Sequence, residues 1–190
     1  MKNLGKNYYT LKSDRLKLVE ITVNHLEEIH SLHSIPEVDE FNTLGIPDNL
    51  RETKEFIQPI IKDQLNDKRK HICWSVREIN KDKFIGLAGL VISADRFKMA
   101  EIYFKLLPRY WGKGYATELA KRIFQFGFND LNLHRIEAGV ATENEKSIRV
   151  LEKLGMTREG IRRKILPIRG EWKDNFHYAI LDEEFKRAQN

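Results

Sequence analysis

The segment that decides the fold runs Arg109-Tyr110-Trp111-Gly112-Lys113-Gly114-Tyr115-Ala116. A predicted strand, residues 99–107, precedes it, and a predicted helix, residues 114–129, starts directly behind it. The first N–H groups of a helix have no partner inside the helix, and the helix dipole adds partial positive charge there. Gly112 and Gly114 allow the backbone to approach an anion closely, and Arg109 and Lys113 add cationic side chains. The loop therefore suits a pyrophosphate, although a glycine-rich turn that binds no ligand would have the same sequence pattern.

Two other phosphate-binding patterns fit this loop less well. The chain contains no G-x-x-x-x-G-K-[ST] motif, so a P-loop is not expected. A dinucleotide fingerprint should open the fold directly after its strand, whereas about 100 residues precede this loop. An acidic residue, Glu137, does follow about 20 residues on, so the dinucleotide alternative is weakened and not excluded.

Around the loop, strand and helix patterns follow the order β-α-α-β-β-β-α-β-α-β-β. Strands are predicted at residues 15–20, 72–76, 84–92, 99–107, 136–140, 160–166 and 175–181. The other helices are predicted from a cap at Asn24, from a cap at Asn49 to residue 65 with a kink at Pro59, and over residues 142–154. Thr142 and Glu145 are expected to open that last helix as a capping box, and Gly155 to close it. This order predicts one mixed α/β domain, residues 1–190.

Composition narrows the class of protein. The chain has 190 residues, 41% hydrophobic and 32% charged, with a net charge of +5. No signal peptide and no apolar run of spanning length is recognised, so no membrane association and a cytoplasmic location are expected. The lone Cys73 is interpreted as a buried structural thiol, not a nucleophile. The histidines at 25, 30 and 33 lack the spacing of a metal site, and no metal is expected.

A family resemblance extends from the loop over residues 99–181. The pattern Arg109-x-x-Gly112-x-Gly114-Tyr115-Ala116-Thr117-Glu118 resembles the acetyl-CoA signature of the GNAT acetyltransferase superfamily. The segments 134–138, 144–155 and 159–162 are similar to the branch that holds the RimJ/RimL-type N-terminal acetyltransferases. The resemblance implies a mixed, mostly antiparallel, twisted sheet of about seven strands, splayed between strands 4 and 5, with about four helices. The implied acetyl-CoA-binding core covers about residues 99–156.

The resemblance also implies a reaction, direct attack of an amine on the acetyl-CoA thioester in a ternary complex. A backbone N–H near Leu106 or Leu107 would polarise the thioester carbonyl, and Asn144 would contact the pantetheine arm unless it only caps its helix. The implied cofactor-binding residues are Leu106, Leu107, Arg109, Trp111, Gly112, Lys113, Gly114, Tyr115, Ala116, Asn144, Ser147 and Lys153.

The catalytic acid and base are less well specified. Many relatives place a proton-donating tyrosine where this chain has Leu151. Ser147, one turn earlier, matches a serine given that role in RimL-like enzymes, or is a plain helix residue. Glu101 opens the strand before the loop and is either the general base or a solvated charge.

The acceptor amine is predicted from its basicity. A protein N-terminal amine has a pKa of about 7.7–8.0, whereas deprotonating a lysine or polyamine amine costs about 4 kcal/mol at pH 7.4. Without an obvious strong base, the N-terminal amine of a protein, of the ribosomal-protein type, is favoured. The alternatives are a small-amine acetyltransferase (polyamine, amino acid or antibiotic) and a catalytically silent acyl-CoA- or RNA-binding module.

Several charged segments allow more than one interpretation. The resemblance implies that the loop with Glu37, Asp39 and Glu40 borders the substrate cleft. There these carboxylates would attract a cationic amine, or they form a plain polar loop. Trp172 and Asp174 are similar to a pair expected on the acceptor side. A basic segment is either a solvated hairpin or a contact for RNA or the 3′-phosphate of CoA, so nucleic-acid contact is only weakly suggested; its residues are Arg158, Arg162, Arg163, Lys164, Arg169 and Lys173. A monomer or homodimer is expected.

Overall fold

The computed structural model describes residues 9–188. One sheet of eight strands runs through it in the spatial order β1-β2-β3-β4-β5-β6-β8-β7. Neighbouring strands are antiparallel except β5 and β6, which are parallel. The strands are Thr10–Lys12 (β1), Leu16–Glu20 (β2), His71–Glu78 (β3), Lys83–Ile92 (β4), Met99–Leu106 (β5), Arg135–Ala141 (β6), Thr157–Ile168 (β7) and Glu171–Leu181 (β8).

Helices cover both faces of the sheet. On one face Leu119, Ile123 and Leu151 pack into the larger core, and on the other Ile29 and Ile57 pack into a smaller one. No helix within residues 9–188 has the length and apolar character needed to cross a bilayer. The described helices are Leu26–His33 (α1), Pro36–Asp39 (α2), Leu50–Asp63 (α3), Tyr115–Gln125 (α4), Glu145–Lys153 (α5) and Asp182–Arg187 (α6).

Strands β5 and β6 separate soon after they meet. They pair over three residue positions only, from Met99 opposite Arg135 to Glu101 opposite Glu137. Beyond Glu101 each strand continues without the other, β5 to Leu106 and β6 to Ala141. This confirms the splay predicted between the fourth and fifth strands, and it leaves an opening in the middle of the sheet.

The predicted mixed α/β architecture is confirmed, with small additions. The three-residue strand β1 raises the strand count to eight, and the short helices α2 and α6 add to the four that were predicted. Strand β7 is longer than the predicted 160–166, and β8 longer than 175–181. The cap at Asn49 is confirmed, since its Oδ1 accepts from the N–H groups of Arg51 (3.0 Å) and Glu52 (3.2 Å).

Two predicted helix starts are wrong. Thr22, not Asn24, caps the first helical segment, because the Asn24 N–H donates to the Thr22 hydroxyl (3.3 Å). The helix predicted from Thr142 begins at Glu145, with Asn144 as its cap. Thr142 lies in the turn after β6, where its N–H donates to the Asp174 carbonyl on β8 (3.2 Å) instead of starting the helix.

Candidate active site

The opening between β5 and β6 leads into a cleft of about 820 Å³. Its walls come from both strands, from the loop before α4, from α5 and from the segment 37–43. Most of the predicted site residues line it: Glu101, Leu106, Trp111, Gly112, Gly114, Tyr115, Ala116, Asn144, Ser147 and Lys153. Three predicted cofactor-binding residues, Leu107, Arg109 and Lys113, are not part of this lining.

The loop before α4 is shaped by two glycines with left-handed backbone. Gly112 has φ +70° and Gly114 has φ +80°, a region that other residues adopt only with strain. Gly114 is the cap position directly before α4, and no side chain caps the helix there. The first N–H groups of α4 therefore remain available at the cleft, which suits a phosphate-bearing ligand such as acetyl-CoA.

Contacts within the protein hold this loop in place. The Trp111 indole Nε1–H donates to the Leu106 carbonyl (2.7 Å), which ties the loop to the end of β5. Glu118, in the first turn of α4, accepts from the Ser13 hydroxyl (2.7 Å) and from Arg15 Nε (2.6 Å). Burial raises the pKa of the Glu118 carboxyl, but the hydrogen bonds from Ser13 and Arg15 outweigh this and lower it overall. The carboxylate thus fixes α4 to the N-terminal part of the sheet.

The end of β5 offers one backbone donor to the cleft. The Leu107 N–H donates to the Ile85 carbonyl on β4 (2.9 Å). Hydrogen-bonded and non-hydrogen-bonded pairs alternate along an antiparallel ladder, so the preceding Leu106, opposite Gly86, turns its N–H away from β4. That direction faces the side where β6 has separated. Of the two predicted donors, Leu106 is thus the one whose N–H is directed into the opening.

Helix α5 forms a second wall. Asn144 Oδ1 accepts from the Ser147 N–H (3.1 Å), so Asn144 acts as the helix cap. Ser147 is half-buried and lines the cleft, and Leu151 lies one turn further on with 2% of its surface exposed. No tyrosine therefore stands where many relatives have one, and Ser147 is the hydroxyl that α5 offers.

Glu101 stands where β5 and β6 separate. A Cβ atom on Gly139 of β6 would lie 3.3 Å from Glu101 Oε1 and 2.7 Å from the Asn175 side-chain amide. Glycine at 139 therefore leaves room for both polar groups at the narrow end of the opening. Glu101 itself is exposed and lines the cleft.

Strand β5 presents a lysine that the sequence analysis missed. Lys105 lines the cleft, and burial lowers the pKa of its ammonium to about 8. Asp39 and Cys73 act in the opposite direction and raise this pKa, but burial outweighs them. Within residues 9–188 the ammonium has neither a hydrogen bond nor an ion pair. Side chains alternate along a strand, so Glu101, Tyr103 and Lys105 lie on one face of β5. This alternation could have predicted that Lys105 faces the same side of the sheet as Glu101.

The segment 36–43 forms a further wall of the cleft and is held by the β7–β8 hairpin. Arg169, in the hairpin turn, donates to the Pro36 carbonyl (3.1 Å) and lies 3.7 Å from Asp39 Oδ2. Asn42 donates to Asp39 Oδ1 (3.2 Å), and Asp39 is 4% exposed. Glu37 and Glu40, in contrast, are exposed and line the cleft, as the sequence analysis expected of this segment.

Two residues predicted on the acceptor side lie elsewhere. Trp172 is 59% exposed near the hairpin turn, and neither it nor Asp174 lines the cleft. Asp174 Oδ1 instead accepts from the Lys164 N–H (2.9 Å), where β7 departs from regular pairing with β8. The carboxylate thus stabilises a bulge in the hairpin.

The buried thiol and histidine near Lys105 are uncharged. Cys73 is 3% exposed, as expected of a buried thiol, and burial raises its pKa to about 12. Burial, reinforced by Lys105 and His30, lowers the pKa of His33 to about 3. Across residues 9–188 there is no group of three or more His, Cys, Asp or Glu side chains that could hold a metal ion.

Comparison with known proteins now identifies the class. Residues 15–157 match the family model described as "Acetyltransferase (GNAT) domain". The chain is 31% identical over 171 residues to the uncharacterized N-acetyltransferase YoaA of Bacillus subtilis, covering 90% of this chain and 96% of that protein. The chain therefore belongs to the GNAT acetyltransferase family and is an acyl-CoA-dependent N-acetyltransferase.

Solved structures agree with this membership. A GNAT-family acetyltransferase from Bacillus anthracis is similar with a TM-score of 0.79 and 31% identity, covering 93% of this chain and all of that one. A spermidine N-acetyltransferase from Vibrio cholerae, solved with CoA and spermine, has a TM-score of 0.81 and 25% identity, covering 92% of this chain and 99% of that one. The comparisons support acetyl transfer and do not confirm the RimJ/RimL branch.

Proposed function

We propose that the protein acetylates a small primary amine, which binds between β5 and the segment 36–43. One observation carries this proposal: three carboxylates, those of Glu37, Glu40 and Glu101, line the acceptor side of the cleft. Carboxylates attract a cationic amine and favour its approach. A relative of similar fold, from Vibrio cholerae, was solved with the polyamine spermine, which supports a small amine as the acceptor.

The residues of the cleft divide the reaction between them. The first N–H groups of α4 hold the pyrophosphate of acetyl-CoA, and the Leu106 N–H polarises the thioester carbonyl. The amine nitrogen forms a bond to the acetyl carbon as the carbon–sulfur bond breaks. Glu101 accepts the proton that the amine loses, directly or through water. The Ser147 hydroxyl donates a hydrogen bond to the departing thiolate and passes to it a proton that Ser147 receives in turn from water.

A protein N-terminus is the second candidate acceptor. Leu151 leaves α5 without a tyrosine, which favours an acceptor that needs little help with proton transfer. N-terminal amines, with a pKa of about 7.7–8.0, are partly neutral at pH 7.4. The RimJ/RimL-like motifs between residues 134 and 162 point the same way.

Thiol release from acetyl-CoA, measured with small amines and with peptides bearing a free N-terminus, tests the proposal. We expect kcat/KM for the best small amine to exceed that for any peptide by at least tenfold. The double variant Glu37→Gln/Glu40→Gln should raise KM for the amine several-fold without changing the Kd of acetyl-CoA. Glu27→Gln is the matched control, because Glu27 is exposed on α1 and does not line the cleft. Turnover of peptides alone would replace this acceptor by the second candidate.

A further inference from the structure

Lys105 is a cation placed beside the point of acetyl transfer. It lies next to Leu106, whose N–H is directed into the opening between β5 and β6. Its side chain shares a face of β5 with Glu101 and Tyr103, because side chains alternate along a strand. The ammonium group is therefore on the wall that an acceptor meets as it approaches the thioester.

The ammonium lacks a counterion. Asp39, the carboxylate whose attraction acts on Lys105, is already engaged by Arg169 (3.7 Å) and by Asn42 (3.2 Å). The neighbouring Cys73 keeps its proton, because burial raises its pKa to about 12. The pKa of His33 is lowered to about 3, so this side chain is neutral as well. Neither Cys73 nor His33 therefore provides a charge that could balance the ammonium. Lys105 is half-buried, and among residues 9–188 its ammonium has no hydrogen-bond or ion-pair partner. An anion that bound beside it would therefore find an unpaired cation.

A second positive charge on the acceptor would meet repulsion at this position. The carboxylates of Glu37 and Glu40 would attract a diamine or polyamine. Its second ammonium, however, would be repelled by the ammonium of Lys105, because no carboxylate among the residues that the structure describes is paired with that charge. A peptide N-terminus would bring a neutral carbonyl. A carboxylate on the acceptor, in contrast, would supply the counterion and form a charge-assisted hydrogen bond.

We infer that the acceptor is an amine that also carries a carboxylate, of the amino-acid class, and that Lys105 binds this carboxylate. The inference rests on the proposed function and narrows its acceptor. Glu37, Glu40 and Glu101 attract the amino group, while Lys105 orients the molecule by its other end. Lys105 is thus a specificity-determining residue, and the fold it shares with spermidine acetyltransferases serves a different small amine.

Matched acceptors test this directly. The initial rate of thiol release is measured with free amino acids, with the amides of the same amino acids, and with spermidine. The amide keeps the side chain and the α-amine, removes the carboxylate and mimics a protein N-terminus. We expect kcat/KM for at least one free amino acid to exceed that for its amide and for spermidine by tenfold or more.

Substitution of the lysine should remove this preference. Lys105→Met keeps the length and the apolar stem, so the preference should fall to within about twofold through a higher KM for the free amino acid, with the Kd of acetyl-CoA unchanged. Lys105→Glu should shift the preference towards spermidine. Lys54→Met is the matched control, because Lys54 is exposed on α3 and does not line the cleft. Circular dichroism and thermal unfolding check that each variant is folded.

Three results overturn the inference. The first is equal or better turnover of amides or spermidine by the unchanged protein. The second is a wild-type preference for carboxylates that Lys105→Met leaves intact, and the third is a loss confined to acetyl-CoA affinity. In each case amines are still acetylated, so the proposed function stands. Absence of acetylation for every amine, with acetyl-CoA bound, would instead remove the proposed function and the inference together.

Discussion

In the loop before α4, the backbone conformation explains why glycine stands at position 112. In the sequence, Gly112 is interpreted as a position that lets an anion approach the backbone closely. A Cβ atom built there meets nothing within 4 Å, so crowding by the protein is not what demands glycine. Glycine is favoured at position 112 because the backbone there has φ +70°, a conformation that is unfavourable for residues with a side chain.

Gly112→Ala should therefore strain the loop at the place where the ligand binds. We expect a loss of about 1–2 kcal/mol in unfolding free energy and a rise of tenfold or more in the Kd of acetyl-CoA, measured by calorimetry. Gly155→Ala is the matched control, because Gly155 also has positive φ (+79°) in open space but lies at the end of α5, outside the cleft lining. It should lose similar stability with unchanged affinity. Equal affinity changes at both positions would contradict a local role for Gly112.

Residues that follow from a linear motif were predictable, and residues that depend on the fold were not. The loop glycines follow from their position between a strand and a helix, and Glu101 and Ser147 from the family resemblance. All of them line the cleft, while the roles given to them stay predictions. Lys105 was overlooked because it stands in an apolar strand, and only alternation along β5 shows that its side chain faces the acceptor. The contact between Arg169 and Asp39 joins residues far apart in the sequence, so no local sequence pattern predicts it.

At the scale of the element, α5 shows how one residue can have two roles. Asn144 accepts from the Ser147 N–H, so it caps the helix in the absence of any ligand. The resemblance assigns the same residue to the pantetheine arm. Stability alone cannot separate these roles, whereas cofactor affinity can.

Asn144→Ala should cost about 1 kcal/mol of stability as a lost helix cap, and should also raise the Kd of acetyl-CoA several-fold if the side chain contacts the cofactor. Asn49→Ala removes an equivalent cap from α3, outside the cleft lining. Urea unfolding and calorimetry on both variants give the comparison. Equal stability losses with unchanged affinity in both would leave Asn144 as a cap alone.

Elements with a clear burial pattern were predicted well, and elements without one were not. Strand β4 is buried over most of its length, and its predicted bounds differ from the observed ones by one residue. Strand β7 is exposed at nearly every position, so no alternation marks its true length. Strand β1 has three residues, of which only Leu11 is buried, too few to form a recognisable pattern.

At the scale of the whole molecule, the β7–β8 hairpin connects the C-terminal part of the chain to the acceptor wall. Arg169 contacts both Pro36 and the buried Asp39. The wall that carries Glu37 and Glu40 is thus held by a residue more than a hundred positions later in the sequence. Acceptor binding should depend on this connection, whereas cofactor binding should not.

Arg169→Met should release the segment 36–43 and leave Asp39 with Asn42 as its remaining hydrogen-bond partner. We expect about a three- to tenfold rise in KM for the amine, in the range of one ordinary hydrogen bond, and an unchanged Kd for acetyl-CoA. Arg163→Met is the matched control on the same hairpin, since Arg163 is exposed and does not line the cleft. Steady-state kinetics with the acceptor varied will distinguish them. A parallel loss in both variants would point to net charge instead of this contact.

The long hairpin also leaves β7 at the outer edge of the sheet, with unpaired backbone groups along one side. Such an edge can recruit strands from other molecules and start aggregation. Strand β7 carries features that resist this: two shifts in its pairing with β8, a proline at 167, and the cations Arg158, Arg162, Arg163 and Lys164. At the opposite edge β1 offers only three residues. We therefore expect these cations and irregularities to disfavour pairing of β7 with a strand of another molecule at high protein concentration.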